Sequence, residues 1–282
     1  MINLLEVMEN VKQIALETGR LQRENLGRKD LQIATKTTLS DLVTEIDKKS
    51  EQLIVAFITK HYPDHAILAE ESGLTDKASD YLWIIDPLDG TGNYIQGLPI
   101  FAVSIALQYR GETMLGVVYA PVTDQLFTAI KGQGAYLNGN RIFVSAKTEL
   151  IESVLATGFP FDIAGNPVNN ITYFSELALK TRAIRRMGAA AYDLACVAAG
   201  QFDGYWELNL SPWDVAAACL MVEEAGGAII DFRTDRGISI IAGNNSISRG
   251  IYDDIKRVDE RDIQDADRRF LTIQGKRRSA KP

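Results

Sequence analysis

Cysteine and histidine are scarce in this chain, with two of each among 282 residues. Cys196 and Cys219 each fall inside an apolar, alanine-rich helical pattern. They support neither a disulfide framework nor a zinc site, and both read as small core residues in a reducing compartment. His61 and His65 flank Tyr62-Pro63-Asp64 at a helix end, which leaves no Ser–His triad and no histidine metal cluster. Positive charge is in deficit: 30 Lys and Arg face 37 Asp and Glu, for a net charge of −7. That balance argues against a nucleic-acid binder working by bulk charge, and it obliges an acidic substrate to find its counter-charge locally. No apolar run approaches membrane-spanning length, and no basic stretch followed by an apolar core opens the chain. The expected location is cytoplasmic, with no membrane partner. Internal repeats are not visible, and Gly132-x-Gly134 lacks the third glycine and the strand–turn–helix setting of a nucleotide loop.

What is present is an ordinary globular composition, 46% hydrophobic and 24% charged, long enough for one large α/β domain or two lobes. Helical spacing predicts an amphipathic helix from about Leu4 to Asn25, ended by Gly27. A short strand from Leu31 to Thr37 carries Lys36, Ser40-Asp41 opens the next element, and a second helix runs through Leu42, Ile46 and Ile58 to Pro63. Asp47 falls near the first turns of that helix, where an acid is favourable in any case. Ala66–Ala69 reads as a strand running into Glu70-Glu71. Antiparallel strands follow from Phe101 to Ala129. Around residues 144–151 the pattern changes to strands alternating with helices, which divides the chain into an N-terminal lobe (1–148) and a C-terminal lobe (149–255). Residues 256–282, crowded with both charges, read as a solvated tail, with a weak helix or contact arm as the alternative.

The chemistry concentrates in Tyr81 to Tyr94. A short apolar run, Tyr81 to Ile85, reads as a buried strand that delivers Asp86 and Asp89 around Pro87. Two hard oxygen ligands with the Leu88 carbonyl between them suit Mg2+. Gly90 and Thr91 then offer backbone N–H groups to a phosphate oxygen. Taken alone, Asp-Pro-Leu-Asp-Gly is more often a turn than a metal site. Asp214, after Ser211-Pro212-Trp213, is by itself as readily a helix-capping acid as a ligand.

Four ordered segments decide the matter. Asp86-Pro87-Leu88-Asp89-Gly90-Thr91 resembles the DPxDGT signature of the inositol monophosphatase family. Ala69-Glu70-Glu71-Ser72 is similar to its GEES element, and Trp213-Asp214-Val215-Ala216-Ala217 with Glu224-Ala225-Gly226-Gly227 to its WDxAA…EAGG element. Lys36 and Asp41-Leu42-Val43-Thr44-x-x-Asp47 resemble the N-terminal segment. The likeness covers roughly residues 1 to 250. Ala69 stands where glycine is usual, and Gly92 where threonine is common.

The resemblance implies a layered αβαβα sandwich, a homodimer, and Mg2+-dependent, Li+-sensitive hydrolysis of small phosphate monoesters. By matching position, Glu70, Asp86 and the Leu88 carbonyl would hold one ion, and Asp86, Asp89 and Asp214 a second, with a third near Glu70. Thr91 and Asp47 would activate water, and the Gly90 and Thr91 amides would hold phosphate. Glu207 and the backbone at Ala190 would face the substrate hydroxyls, with Lys36 at the mouth. The leading substrate is myo-inositol monophosphate. Fructose 1,6-bisphosphate, NADP, histidinol phosphate and 3′-phosphoadenosine 5′-phosphate are rivals that the metal motifs do not separate. A transcription-regulatory binding role is the alternative of another class, with Arg185-Arg186 and the basic tail as its contacts.

Overall fold

Asn3 caps the first helix by accepting the Leu5 N–H, and the computed structural model then follows the chain over residues 2–36, 41–75 and 77–261. In order come α1 (Leu4–Asn25), β1 (Ile33–Thr35), β2 (Leu42–Thr44), α2 (Glu45–His61), β3 (Ala66–Ala69), β4 (Gly73–Leu74) and β5 (Tyr81–Asp89). The short α3 (Thr91–Ile95) precedes β6 (Ala102–Tyr109), β7 (Glu112–Ala120), β8 (Gln125–Ile130), β9 (Gly134–Leu137) and β10 (Asn140–Arg141). The second half holds β11 (Val154–Thr157), α4 (Ile171–Ala178), β12 (Ala183–Arg185), α5 (Ala190–Ala198), β13 (Gly204–Leu210), α6 (Pro212–Glu224), β14 (Ala228–Arg233) and β15 (Ile238–Gly243). A last helix, α7, covers 245–261.

An eight-stranded sheet is ordered β10-β9-β8-β7-β6-β5-β3-β4, and a five-stranded one β12-β11-β13-β15-β14. The change of sheet falls between β10 and β11. Successive side chains of a strand point to opposite faces, so β5 feeds two cores at once. Trp83 and Ile85 pack under α1 and α2 with Val7, Ile14 and Ile54. Ile84 faces the other way, onto the helices α5 and α6, whose opposite side meets Tyr205 and Ile240 of the smaller sheet. The outer face of that sheet carries α4 and α7, through Leu177, Ile247 and Ile251 on Trp206 and Ile241. The order is helices, sheet, helices, sheet, helices: the expected αβαβα layering. Alanine-rich α5 is narrow enough to share the middle layer with α6.

Three stretches differ from the pattern reading. Pro87 does not end β5; pairing with β6 resumes at Asp89–Ala102 after an irregularity between Asp86 and Asp89. A bulge tolerates the missing N–H. Leu42–Thr44 is a strand paired with β1, and the helix starts only at Glu45 because Thr44 caps it. Lys36 closes that hairpin through its N–H on the Asp41 carbonyl at 2.8 Å, while Ser40 lies outside the described residues. Finally, residues 245–261 are helical where the pattern fades, and Ile255 and Val258 are buried. Of the segment 256–282, residues 262–282 lie outside the described residues.

Candidate active site

The parallel register of β3 and β5 sets Ala69 beside Ile85, so the next residues, Glu70 and Asp86, leave the sheet side by side. The Glu70 N–H donates to the Ile85 carbonyl at 3.1 Å and holds the two chain ends together. Across the sheet, Asp86 is opposite Ser104, whose hydroxyl donates to the Trp213 carbonyl at 3.3 Å. That contact draws the start of α6, and with it Asp214, to the same strand end. Asp89 completes the group at the start of α5: its two oxygens accept the Ala190 and Tyr192 N–H groups at 2.9 and 3.1 Å.

The loop is held from below. Leu88, Tyr94, Phe101 and Ile46 form a small core of their own. The buried Gln22 of α1 donates to the Pro87 carbonyl at 2.6 Å and accepts from the Tyr94 hydroxyl through its own carbonyl at 2.7 Å. Gly90 has φ +96°, and a Cβ there would lie 3.0 Å from the Ile100 carbonyl, so both backbone and space call for glycine. Asp47 owes its position to the capping box of α2, in which Thr44 N–H donates to its Oδ2 at 2.9 Å. Its other oxygen accepts the Thr91 hydroxyl at 2.7 Å; the Leu88 carbonyl is the alternative acceptor at 3.2 Å. At the rim, Lys36 Nζ bridges Glu70, at 2.7 Å, and Glu71.

Burial dominates the electrostatics. It pushes the Asp86 carboxyl well up, and Glu70, Asp89 and Asp214 push it further. Asp89 is raised to about 7 by burial and by Glu70 and Glu207, against the two α5 amides. Asp214 rises to about 8 through burial with Asp89 and Glu70, opposed by Ser211 N–H and Lys36. Glu70 is raised by burial, with Lys36 pulling it back. Burial also raises Asp47, against its Thr44 and Thr91 hydrogen bonds. Glu70 thus disfavours ionisation of the other three acids, and all four are raised by burial, with more carboxyls than cations around them.

Among the described residues no three or more acidic, histidine or cysteine side chains are placed so as to hold a metal ion together as they stand. Glu70 turns to Lys36, Asp89 to the α5 amides and Asp214 to Ser211 N–H. A carboxylate has about four acceptor positions, so each keeps capacity for a ligand bond. With the Leu88 carbonyl the donors are all hard oxygen, the set that suits Mg2+. The residues fit the ion.

Glu207 of β13 adds a further acid that raises Asp89, and is itself raised to about 7 by burial and Asp214, against its bond from the Tyr205 hydroxyl. A Cβ on Gly158 would fall 2.0 Å from Glu207 Oε1, so the glycine makes room for that carboxylate. The Ala190 N–H, expected near substrate hydroxyls, is committed to Asp89. Gln22, Glu71, Arg186 and Asp193 were not singled out as site residues from sequence. Gln22 and Asp193 look like polar interruptions of helical patterns, and only the packing gives them their place.

Buried acids gathered at the carboxyl ends of parallel strands, and under the first turn of a middle-layer helix, define a layered α/β protein with a buried acidic centre. The chain belongs to the inositol monophosphatase family, whose sequence profile matches residues 3–263. It is 43% identical over 263 residues to the Nus factor SuhB of Pseudomonas aeruginosa, covering 88% of this chain and 97% of that one. It is 39% identical over 261 residues to the inositol-1-monophosphatase of Mesorhizobium japonicum, over 90% and 96% of the two chains. The structure of an inositol monophosphatase from Anabaena superimposes with a TM-score of 0.82 at 39% identity, covering 91% of this chain and 97% of that one.

Proposed function

We propose that the chain is a Mg2+-dependent phosphatase of small phosphorylated polyols, with myo-inositol monophosphate as leading substrate, working as a cytoplasmic homodimer. One observation carries the reading: Glu70 and Asp86 leave adjacent parallel strands side by side, Asp89 follows on the same strand, and the Ser104 hydroxyl opposite Asp86 holds the start of α6, which bears Asp214. Glu70, Asp86 and the Leu88 carbonyl would hold one ion, Asp86, Asp89 and Asp214 a second, and a third would lie near Glu70. When bound, Mg2+ supplies positive charge for the phosphate and lowers the pKa of water.

The chain's own residues do the rest. Thr91 donates to Asp47, so its oxygen lone pairs are turned outward to accept a proton from water while its own proton passes to Asp47. Thr44 N–H fixes the receiving carboxylate. The Gly90 and Thr91 N–H groups suit a phosphate oxygen. Lys36 adds a cation at the mouth. Glu207 would accept hydrogen bonds from the hydroxyls of the leaving group.

Fructose 1,6-bisphosphate, NADP, histidinol phosphate and 3′-phosphoadenosine 5′-phosphate remain rival substrates. The likeness to a protein named Nus factor supports a second reading, a role in transcription complexes. The net charge of −7 then favours protein contacts over direct RNA binding.

Phosphate release from this panel and from an aryl phosphate, with Mg2+ and with chelator, tests the proposal. Release should require Mg2+ and be inhibited by Li+. A hydrogen bond to a charged acceptor contributes roughly 1.5–3 kcal/mol, so Glu207→Gln should lower kcat/KM on inositol monophosphate by about one to two decades relative to the aryl ester. Absence of Mg2+-dependent release from every substrate would refute the phosphatase reading.

A further inference from the structure

We propose that Asn170, the buried residue just before α4, is a positioning residue for Glu207: it fixes the Gly158 backbone on which the Glu207 carboxyl rests, and so sets how leaving-group hydroxyls are read. The inference rests on the reading of Glu207 given above and deepens it.

The seat is Gly158, the first residue after β11. A Cβ there would fall 2.0, 2.3 and 2.3 Å from Oε1, Cδ and Oε2 of Glu207. The whole carboxyl therefore lies against the bare Cα, while the Tyr205 hydroxyl donates to its Oε2. Where Gly158 sits decides where the carboxyl sits.

One amide fixes Gly158. Asn170 Nδ2 donates to the Gly158 carbonyl at 2.5 Å and to the Thr157 hydroxyl oxygen at 2.9 Å. Its Oδ1 accepts the Trp206 indole N–H at 2.6 Å. An indole N–H only donates, so the amide has one orientation, with its nitrogen toward Gly158. The Thr157 hydroxyl in turn donates to the Trp206 carbonyl at 2.5 Å, where the two residues are in parallel register. Asn170 thus ties the end of β11 to β13 one residue before Glu207. It is 2% exposed, and its φ of +74° is one that asparagine adopts more readily than most side chains. The loop between Gly158 and Asn170 has anchors of its own. Arg236 forks onto the two Asp162 oxygens at 2.7 and 3.0 Å, and Asn169 Nδ2 donates to the Ile163 carbonyl at 3.0 Å. Loss of the Asn170 amide therefore frees the seat rather than the loop. Hydrogen bonds weaken steeply with misalignment, so a carboxyl off its seat loses its hydroxyl partners.

The test measures kcat/KM on inositol monophosphate and on an aryl phosphate for wild type, Asn170→Gly, Glu207→Gln and the double variant. Glycine takes the positive φ readily, so the first variant removes the amide without straining the backbone. The ratio of the two kcat/KM values should fall about tenfold in Asn170→Gly, mainly through a higher KM on inositol monophosphate. In the double variant it should fall no further than in Glu207→Gln alone, because Asn170 acts through that carboxyl. If Asn170→Gly does not fold, Asn170→Asp at alkaline pH serves, since it keeps the acceptor for Trp206 and, ionised, offers Gly158 no donor. A crystal structure of the folded variant should show the Glu207 carboxyl displaced from Gly158. An unchanged ratio, equal losses on both substrates, or additive losses in the double variant would overturn the assignment. So would a lower ratio in Asn170→Gly when Glu207→Gln alone shows none. If wild type hydrolyses nothing, the phosphatase reading fails, and the crystal structure decides the role of Asn170: a Glu207 carboxyl still seated on Gly158 overturns it.

Discussion

Asp86 sits at the centre of the acidic group, and its energetics are unusual for a buried residue: its charge costs stability. It is 3% exposed, accepts the Leu88 N–H at 2.9 Å, and is pushed up by burial and three neighbouring acids. Asparagine keeps the volume and the acceptor for that N–H while removing the charge. Asp86→Asn should therefore abolish turnover yet leave the metal-free Tm equal or higher. The pH dependence follows from the same shifts. Asp89, Glu207 and Asp214 rise from ordinary carboxyl values to about 7, 7 and 8 in the fold. Between pH 5 and 8 the folded chain then holds more protons than the unfolded chain, so stability is greater at the acid end and is lost as pH rises. Calorimetry in chelator should show Tm falling across that window, with a shallower fall in Asp86→Asn. Turnover within tenfold of wild type, or a lower Tm, would contradict the account. The four clustered acids were legible in sequence because spacing and order carry them. Asp193 and Gln22 were not, because their meaning comes from packing between elements distant in the chain.

At the scale of elements, periodicity located the longer helices and most of the longer strands, missed β15 and the short β4, α3, β9, β10 and β12, and failed outright where one residue overrides the pattern. Apolar spacing ran on from Leu42 into α2, but Thr44 caps that helix and leaves Leu42–Thr44 to pair with β1. Pro87 looked like a stop, yet the bulge lets β5 continue to Asp89, which is what aims two acids at one edge. The largest difference is α7. Ile247, Ile251, Ile255 and Val258 recur at helical spacing and are buried, while charges on the other faces dilute the pattern. Asp259 adds a polar anchor, accepting from the Tyr173 hydroxyl and from Arg233 at 3.1 Å. A chain ending at Ile255 should lose about 1.5–3 kcal/mol from Val258 alone, with a visibly lower Tm. One ending at Arg261 keeps α7 and lacks only residues outside the acidic motifs, so it should retain Mg2+-dependent turnover. Equal stability of the two truncations would remove α7 from the core.

At the scale of the whole molecule, the middle layer does the joining: α5 and α6 belong to the second half of the chain yet rest on the larger sheet. One core is thus shared by residues of both sheets. The outer surface bears on assembly. The edges of the larger sheet, β4 and β10, are two residues long and offer little ladder to a second copy. Exposed apolar side chains such as Leu98 and Leu179, 47% and 83% accessible, are what another copy could cover. Each chain carries a net charge of −7, so two copies repel at long range and must be held by apolar contact. Salt screens the repulsion without weakening the apolar term. Light scattering at micromolar concentration should give twice the 31.1 kDa chain mass, and the dimer should persist or tighten as salt is raised. A monomer mass in low and high salt alike would refute the dimer. Dissociation on adding salt would show that ion pairs, rather than apolar side chains, hold the copies together.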